Sequence, residues 1–354
     1  MKKALIAMSG GVDSSVAAYL CVNAGYECMG ATMKLYDAND NDTNTTKTCC
    51  SLDDVEDARS VANKLNMPFH VFNYKSDFKA EVIDRFISAY EYGATPNPCI
   101  DCNRYIKFNK FFKRMRELDY DYIVTGHYAR VEFDGTRYVL KKAKDLSKDQ
   151  SYVLYSLTQE QLEHVLFPLG ELSKDETRKI AEENGFINAN KRDSQDICFV
   201  PDGDYAAFIR KTTGKDYPEG DFVDKTGKVL GTHKGIIKYT IGQRRGLGLA
   251  LPAPMYVCEK DLDANRVVLC SNDELFSREL TACDFNWLSI PEPTDILTCS
   301  ARVRYNQTEQ PALAKVNPDG TVSVVFDKPQ RAISKGQAVV LYDGDTVLGG
   351  GTII

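Results

Sequence analysis

Within seven residues, Ser9-Gly10-Gly11-Val12-Asp13-Ser14-Ser15 gathers three hydroxyls, two glycines and one carboxylate directly after an apolar run. That combination suits an anion. Free backbone amides at a helix start carry partial positive charge, Gly10 and Gly11 let the backbone approach closely, and Ser9, Ser14 and Ser15 can donate hydroxyls. Asp13 either caps the following helix or holds a magnesium ion. A Walker loop would need a lysine before its Ser or Thr, and the dinucleotide fingerprint needs G-x-G-x-x-G; neither occurs here.

The second chemistry is thiol chemistry. In Thr95-Pro96-Asn97-Pro98-Cys99-Ile100-Asp101-Cys102-Asn103, two prolines hold the chain extended and present Cys102 near the start of a helix over Arg104 to Leu118. A thiol beside a helix N-terminus has a lowered pKa and is the more nucleophilic for it. Cys198 stands alone in Asp193 to Phe199, which reads as a short extended segment. Cys49-Cys50 lies in Asp37 to Asp54, a polar stretch too long for a simple connection and read as a flap or lid.

These groups need a scaffold. Lys3 to Met8 reads as a buried parallel strand, Val16 to Ala24 as a helix closed by Gly25, and Tyr26 to Met33 as a second strand whose end, Met33, falls on the ligand side. Helices over Asp53 to Leu65 and Asp77 to Tyr92 flank a strand over Phe69 to Tyr74. Asp121 to Thr125 is another strand, ending in Gly126-His127-Tyr128. Ala129 to Lys142 forms a hairpin turning at Asp134-Gly135, and Lys141, Lys142, Lys144 and Lys148 crowd the loop before Asp149-Gln150-Ser151. Ser173-x-x-Glu176 is a capping box opening a helix to Glu183.

Beyond Gly214 short β runs take over, at Lys234 to Ile241, Met255 to Glu259, Arg266 to Cys270, Thr298 to Tyr305, Leu313 to Val316, Val322 to Asp327 and Ala338 to Tyr342. The expected fold is therefore α/β with a parallel sheet over 1–205, a small β-rich central domain over 206–272 and a C-terminal β-barrel over 273–354.

The chain has 354 residues, eleven cysteines and a net charge of −6. No apolar run approaches the roughly 20 residues that span a bilayer, and no signal-peptide pattern opens the chain, so a cytoplasmic protein with reduced thiols is expected. The acidic balance weighs against a protein coated in nucleic acid but leaves room for a local basic face.

Ser9 to Ser15 resembles the pyrophosphate loop of the N-type ATP pyrophosphatases. Ala7 to Ser15, Thr95 to Asn103, Thr125 to Arg130, Lys148 to Gln150, Asp193 to Phe199, Tyr239 to Arg244, Arg331 to Ile333 and Gly336-Gln337 together resemble the tRNA-specific 2-thiouridylases, over nearly the whole chain. The resemblance implies that Ala7, Met8, Ser9, Gly10, Gly11, Val12, Asp13, Ser14, Met33 and Gly126 bind ATP, with Mg2+ as its companion. It implies Cys102 as nucleophile, Cys198 as persulfide carrier and Asp13 as the third catalytic group. His127, Lys148, Asp149, Gln150, Arg304, Tyr305 and Gln337 would touch tRNA, and Asn97, Pro98 and Cys99 would form the target-base pocket. A persulfide-donating protein is the implied partner, and the chain is expected to be monomeric. Many relatives have Asn-Pro-Asp where this chain has Asn97-Pro98-Cys99, so Cys99 and Cys102 make a C-x-x-C pair.

The chemistry agrees with that resemblance. C2 of uridine has no leaving group, so its oxygen must be activated, and adenylation does so. Sulfur then arrives from a Cys198 persulfide, and attack by Cys102 leaves a Cys102–Cys198 disulfide for an external reductant. Three alternatives stand beside it. One is an iron–sulfur cluster on Cys99, Cys102 and Cys198; another is a zinc-stabilised RNA-binding module using Cys49, Cys50, Cys99 and Cys102. The last is an amide or argininosuccinate-type synthetase sharing the loop.

Overall fold

The computed structural model describes residues 1–36, 52–191, 197–200 and 202–354. The flap read over Asp37 to Asp54, with Cys49-Cys50, lies mostly outside the described residues, as does the stretch from 192 to 196.

Strand β1 (Lys3–Ala7) is buried from Ala4 onward on both faces, as its unbroken apolar sequence requires. It is followed by α1 (Val12–Asn23), β2 (Glu27–Lys34), α2 (Leu52–Lys64), β3 (Phe69–Asn73), β4 (Tyr122–Val124), the hairpin β5 (Ala129–Phe133) and β6 (Tyr138–Lys142), and β7 (Val165–Leu166). One sheet has the order β3-β2-β1-β4-β7, and every pairing in it is parallel. The chain builds outward from β1 through β2 to β3, then returns to place β4 on the other side of β1. That reversal opens a crevice at the carboxyl ends of β1 and β4, where ligands of open α/β sheets bind.

The helix expected over Asp77 to Tyr92 is continuous but mixed: Lys75–Phe78 and Asp84–Glu91 are α-helical, with a π-helical turn at Lys79–Ile83 between them. Likewise Pro98–Asp101, the π-helical Cys102–Lys110 and Phe111–Glu117 run on without a break. π-helical turns of this kind often mark functional positions.

The central unit is a four-stranded sheet in the order β10-β11-β8-β9, formed by β8 (Gly220–Asp224), β9 (Val229–His233), β10 (Tyr256–Asp261) and β11 (Arg266–Cys270), after a helix over Tyr205–Thr213. Lys234 to Ile241, expected as a strand, contains instead a short 3-10 turn at Ile236–Lys238, because Gly235 enters it with φ of 95° and breaks the extended run. Phe86, Tyr90 and Phe199 of the first unit and Phe222, Val257 and Leu269 of the second belong to one hydrophobic cluster.

The last unit comprises β12 (Phe276–Trp287), β13 (Leu297–Arg302), β14 (Gln310–Val316), β15 (Val322–Arg331), β16 (Ala338–Asp343) and β17 (Thr346–Ile353). Their order β12-β15-β14-β13-β16-β17, closed by β12 pairing with β17, makes a six-stranded antiparallel barrel without a free edge. The β5–β6 hairpin of the first unit joins that barrel through Lys141 opposite Thr346. The expected α/β sheet, β-rich middle and C-terminal barrel are all present. No described helix is long and apolar enough to cross a membrane.

Candidate active site

Helix α1 begins four residues earlier than its apolar spacing suggested, with Gly11 as N-cap and no side-chain cap. Asp13 is therefore inside the first turn and does not cap it. The loop proper is Ser9-Gly10-Gly11, and it is built for close approach. A Cβ on Gly10, which has φ of +74°, would meet the Asp54 carbonyl oxygen at 2.3 Å; one on Gly126 would lie 2.8 Å from the backbone of Asp13 and Ser14. Gly126, just past β4, thus closes the crevice against the start of α1.

The hydroxyls divide between ligand and scaffold. Ser9 is exposed, and its backbone amide donates to Ser14 Oγ at 3.2 Å. Ser14 Oγ donates to the Gly11 carbonyl at 3.0 Å. Ser15, expected to face the anion, is fully buried: it donates to the Gly11 carbonyl at 3.0 Å and accepts from Asn188 Nδ2 at 2.9 Å. Asn188 also donates to the Gly10 carbonyl at 2.9 Å, and Lys191 Nζ ties Asp54 and Asp57 at 2.6 and 2.7 Å behind the loop. The side chains of Ala7, Met8 and Val12 are in the core, so these residues offer the ligand side only backbone. Met33 stands near the carboxyl end of β2, half-buried.

Asp13 has two partners that spacing could not reveal. Lys174 Nζ lies 2.7 and 2.9 Å from its two oxygens, and the Tyr128 hydroxyl donates to Oδ1 at 2.9 Å. Lys174 is the first residue of a helix over Lys174–Glu183 that the Ser173–Glu176 capping box does open, so it looked like ordinary helix surface. Tyr128 sat inside the Gly126-His127-Tyr128 run, but nothing local told that its ring turns inward.

Asn97 caps the helix that begins at Pro98, its side chain accepting from the Cys99 amide at 3.1 Å. Cys99 is thus the exposed thiol at the helix start, while Cys102 lies a turn inside, half-buried, where the π-helical stretch begins. This corrects the expectation that Cys102 stands at a helix N-terminus: the Asn97-Pro98 pair starts the helix sooner than a loop held extended by prolines would. Asp101, beside Cys102, is pushed up to about 6 by burial, against the opposing pull of Arg85. The loop before the helix is pinned to the barrel, since the Thr95 amide donates to the Lys335 carbonyl at 2.8 Å and Gln337 Nε2 donates to the Thr95 carbonyl at 2.6 Å. A cleft of about 500 Å³ opens beside it, between Asn97, Asp101, Arg104 and Gly336.

Cys198 occupies a turn rather than an extended segment, closed by the Val200 amide donating to the Ile197 carbonyl at 2.9 Å. It is anchored on both sides. Tyr36, just beyond the carboxyl end of β2, donates to the Cys198 carbonyl at 2.7 Å, and Phe199 packs within 5.8 Å of the Phe78, Phe86 and Phe208 rings. Cys102 and Cys198 are half-buried against the same hydrophobic cluster. Among the described residues no three His, Cys, Asp or Glu side chains are placed together as metal ligands, so Cys99, Cys102 and Cys198 are not gathered for a cluster.

Two expected tRNA contacts turn inward. His127 is 7% exposed; Lys107 Nζ, which can only donate, lies 3.4 Å from Nε2, so Nδ1 carries the proton and donates to Thr125 Oγ1 at 2.7 Å. Burial, and secondarily the Lys107 charge, holds this imidazole well below the usual histidine range. The Asp149 carboxylate accepts from the Ala143 and Ser151 amides at 3.1 and 3.2 Å and from Ser151 Oγ at 2.8 Å, with Arg302 at 3.5 Å. Both side chains shape the surface from within. Arg304 is spent at a domain junction, donating to the carbonyls of Ile241 and Ala332 and to Ser334 Oγ. Lys148, Gln150 and Tyr305 remain partly open. The Tyr305 hydroxyl donates to the Asp149 carbonyl at 3.1 Å, and burial first, then the Asp149 charge, raises its phenol pKa.

A hydroxyl-rich loop at the switch point of a parallel sheet, with thiol-bearing segments and two appended β units, defines a nucleotide-binding α/β enzyme with accessory β domains. Family profiles agree with that class, matching a tRNA methyl transferase HUP domain at residues 2–202, a tRNA methyl transferase PRC-barrel domain at 206–271 and an aminomethyltransferase beta-barrel domain at 277–353. The chain is 51% identical over 354 residues to the tRNA-specific 2-thiouridylase MnmA of Clostridioides difficile, covering 99% of this chain and 98% of that one. It is 50% identical over 355 residues to the enzyme of the same name from Acetivibrio thermocellus, covering 99% of each. The chain belongs to the tRNA-specific 2-thiouridylase family.

Proposed function

We propose that this protein is an ATP-dependent sulfurtransferase that converts the wobble uridine of tRNA to 2-thiouridine. The observation that carries the reading is the crevice between β1 and β4, where Ser9, the amides of Gly10 and Gly11, Asp13 and Gly126 form a cradle for a triphosphate. ATP bound there presents its α-phosphorus to the uridine O2, the new P–O bond displaces pyrophosphate, and O2 becomes part of a good leaving group, AMP. The terminal sulfur of a Cys198 persulfide then either attacks C2 directly and expels AMP, after which the Cys102 thiolate attacks Cys198 Sγ and frees the thiolated base, or leaves as hydrosulfide when the Cys102 thiolate takes Cys198 Sγ and then attacks C2 itself. Either route ends in a Cys102–Cys198 disulfide, which an external dithiol reduces.

Asp13 suits magnesium, an ion that takes one or two carboxylates together with substrate phosphates. Bound there, the ion would offset the charge of the β- and γ-phosphates, while Lys174 offsets that of Asp13. Lys148, Gln150 and Tyr305 are the proposed tRNA contacts, Asn97, Pro98 and Cys99 the wall of the base pocket, and a persulfide-bearing protein the sulfur source. The protein acts as a monomer in the cytoplasm. Incubation with unmodified tRNA, ATP and a persulfide donor, followed by mass spectrometry of the nucleosides, should give 2-thiouridine in an ATP-dependent manner. Its absence with an active donor would overturn the assignment.

A further inference from the structure

The proposed tRNA loop and the proposed ATP loop are joined by one short chain of hydrogen bonds. At one end Gln150 grips the backbone of Tyr128 twice: Gln150 Oε1 accepts from the Tyr128 amide at 3.0 Å, and the Gln150 amide donates to the Tyr128 carbonyl at 2.9 Å. At the other end the Tyr128 hydroxyl lies 2.9 Å from Asp13 Oδ1 and 3.0 Å from Thr177 Oγ1. Thr177 donates its own proton to the Ser173 carbonyl at 3.0 Å, so it cannot supply one to Tyr128. The single phenol proton therefore goes to an acceptor, and the charged carboxylate is the stronger of the two. Tyr128 is 2% exposed, a buried link rather than a surface contact. It spans the space between two loops that both face ligands.

The Gln150 loop is itself tied to the barrel. Asp149 is held by Arg302, which also donates to Glu309 at 2.9 Å, and Tyr305 donates to the Asp149 carbonyl. An RNA that fixes Lys148 and Tyr305 fixes Gln150, hence the Tyr128 backbone, hence the direction of the hydroxyl that orients Asp13.

We propose that Tyr128 is a positioning residue for the ATP site, orienting Asp13, and that through Gln150 it makes tRNA and ATP bind cooperatively. The inference rests on the assignment of the two ends to ATP and tRNA. Ordering paid for by the first ligand is spared the second, and the coupling is reciprocal.

The test is the dissociation constant of α,β-methylene-ATP, measured calorimetrically with and without saturating unmodified tRNA transcript. In the wild type, tRNA tightens the analogue by about 5-fold or more, the low end of usual coupling, and the analogue tightens tRNA by the same factor. Tyr128→Phe keeps the ring and its packing; it brings that factor below about 2 and leaves tRNA affinity without nucleotide at the wild-type value. Gln150→Glu keeps the acceptor for the Tyr128 amide and retains the coupling factor, even where tRNA affinity itself falls. Full coupling in Tyr128→Phe, or none in the wild type, overturns the proposal. A wild type that binds no analogue at all overturns the ATP assignment as well, and is thereby told apart.

Discussion

Lys174 Nζ sits 2.7 and 2.9 Å from the two oxygens of Asp13, across 161 residues of sequence. The lysine side chain is 9% exposed and the aspartate 32%, so the pair is screened from solvent on one side and open toward the crevice on the other. An unpaired Asp13 would repel a triphosphate. Lys174→Ala should therefore weaken ATP binding by about tenfold, roughly 1.4 kcal/mol. It should lower stability by about 2 kcal/mol, less than the 3–5 kcal/mol of a fully buried pair because Asp13 keeps some water. Titration calorimetry and urea unfolding measure the two effects; unchanged ATP affinity would leave the pair a purely structural contact. Asp13→Ala should abolish pyrophosphate release.

The thiols separate by role. Cys102→Ser and Cys198→Ser should each remove 2-thiouridine formation, since the proposed transfer needs both sulfurs. Cys99→Asp should keep most activity, because the exposed helix-start position accepts a carboxylate without strain and even gains from the helix dipole. Nucleoside mass spectrometry reads the product. If Cys99→Asp loses activity together with an iron–sulfur absorbance band in anaerobically purified protein, sulfur travels on a cluster instead.

Lys148 and Arg304 should behave differently, although both belong to motifs tied to tRNA. Lys148→Ala should weaken tRNA binding and lower the slope of log K against log salt by about one, the effect of one phosphate contact. Arg304 bonds to two carbonyls and a hydroxyl at the junction of barrel and central unit. Arg304→Ala should therefore act chiefly on stability, lowering the melting temperature by several degrees, more than Lys148→Ala does. Equal thermal shifts would contradict this division.

The buried imidazole of His127 makes stability fall in acid. Its folded pKa is held well below 6.5 by burial and then by Lys107. As pH drops below 6.5 the unfolded chain takes up a proton that the folded chain refuses, so stability decreases by about 1.4 kcal/mol per pH unit until the folded value is reached. His233, also lowered mainly by burial, adds in the same direction. Urea midpoints at pH 7.5 and 5.5 should fall less in His127→Gln than in the wild type. Identical pH dependence would show that His127 does not titrate on unfolding.

Whatever local spacing controls is legible in the order of residues. Ser9 to Ser15 declares an anion loop because two glycines and three hydroxyls follow a buried strand, and the β1–α1–β2 order follows from apolar periodicity. The β-rich second half and its turns are equally local, and the separate motifs, kept in one order, name the family. Which polar groups stay open to the crevice depends on packing between distant segments. Ser15, His127 and Asp149 look like ligand contacts by type, yet each found partners from distant segments that satisfied it indoors. Lys174 and Tyr128 look like helix surface and strand-end filler, yet the 174–183 helix carries Lys174 onto Asp13, and Tyr128, bonded to Thr177 of that helix, turns its hydroxyl there too. The hairpin over Ala129 to Lys142 was legible as a hairpin, but its joining of a barrel two hundred residues away was not. The physical reason is the same throughout: helix and strand periods are set within a few residues, whereas the desolvation of a charge or hydroxyl is offset only by partners that sheet order and domain packing bring to it.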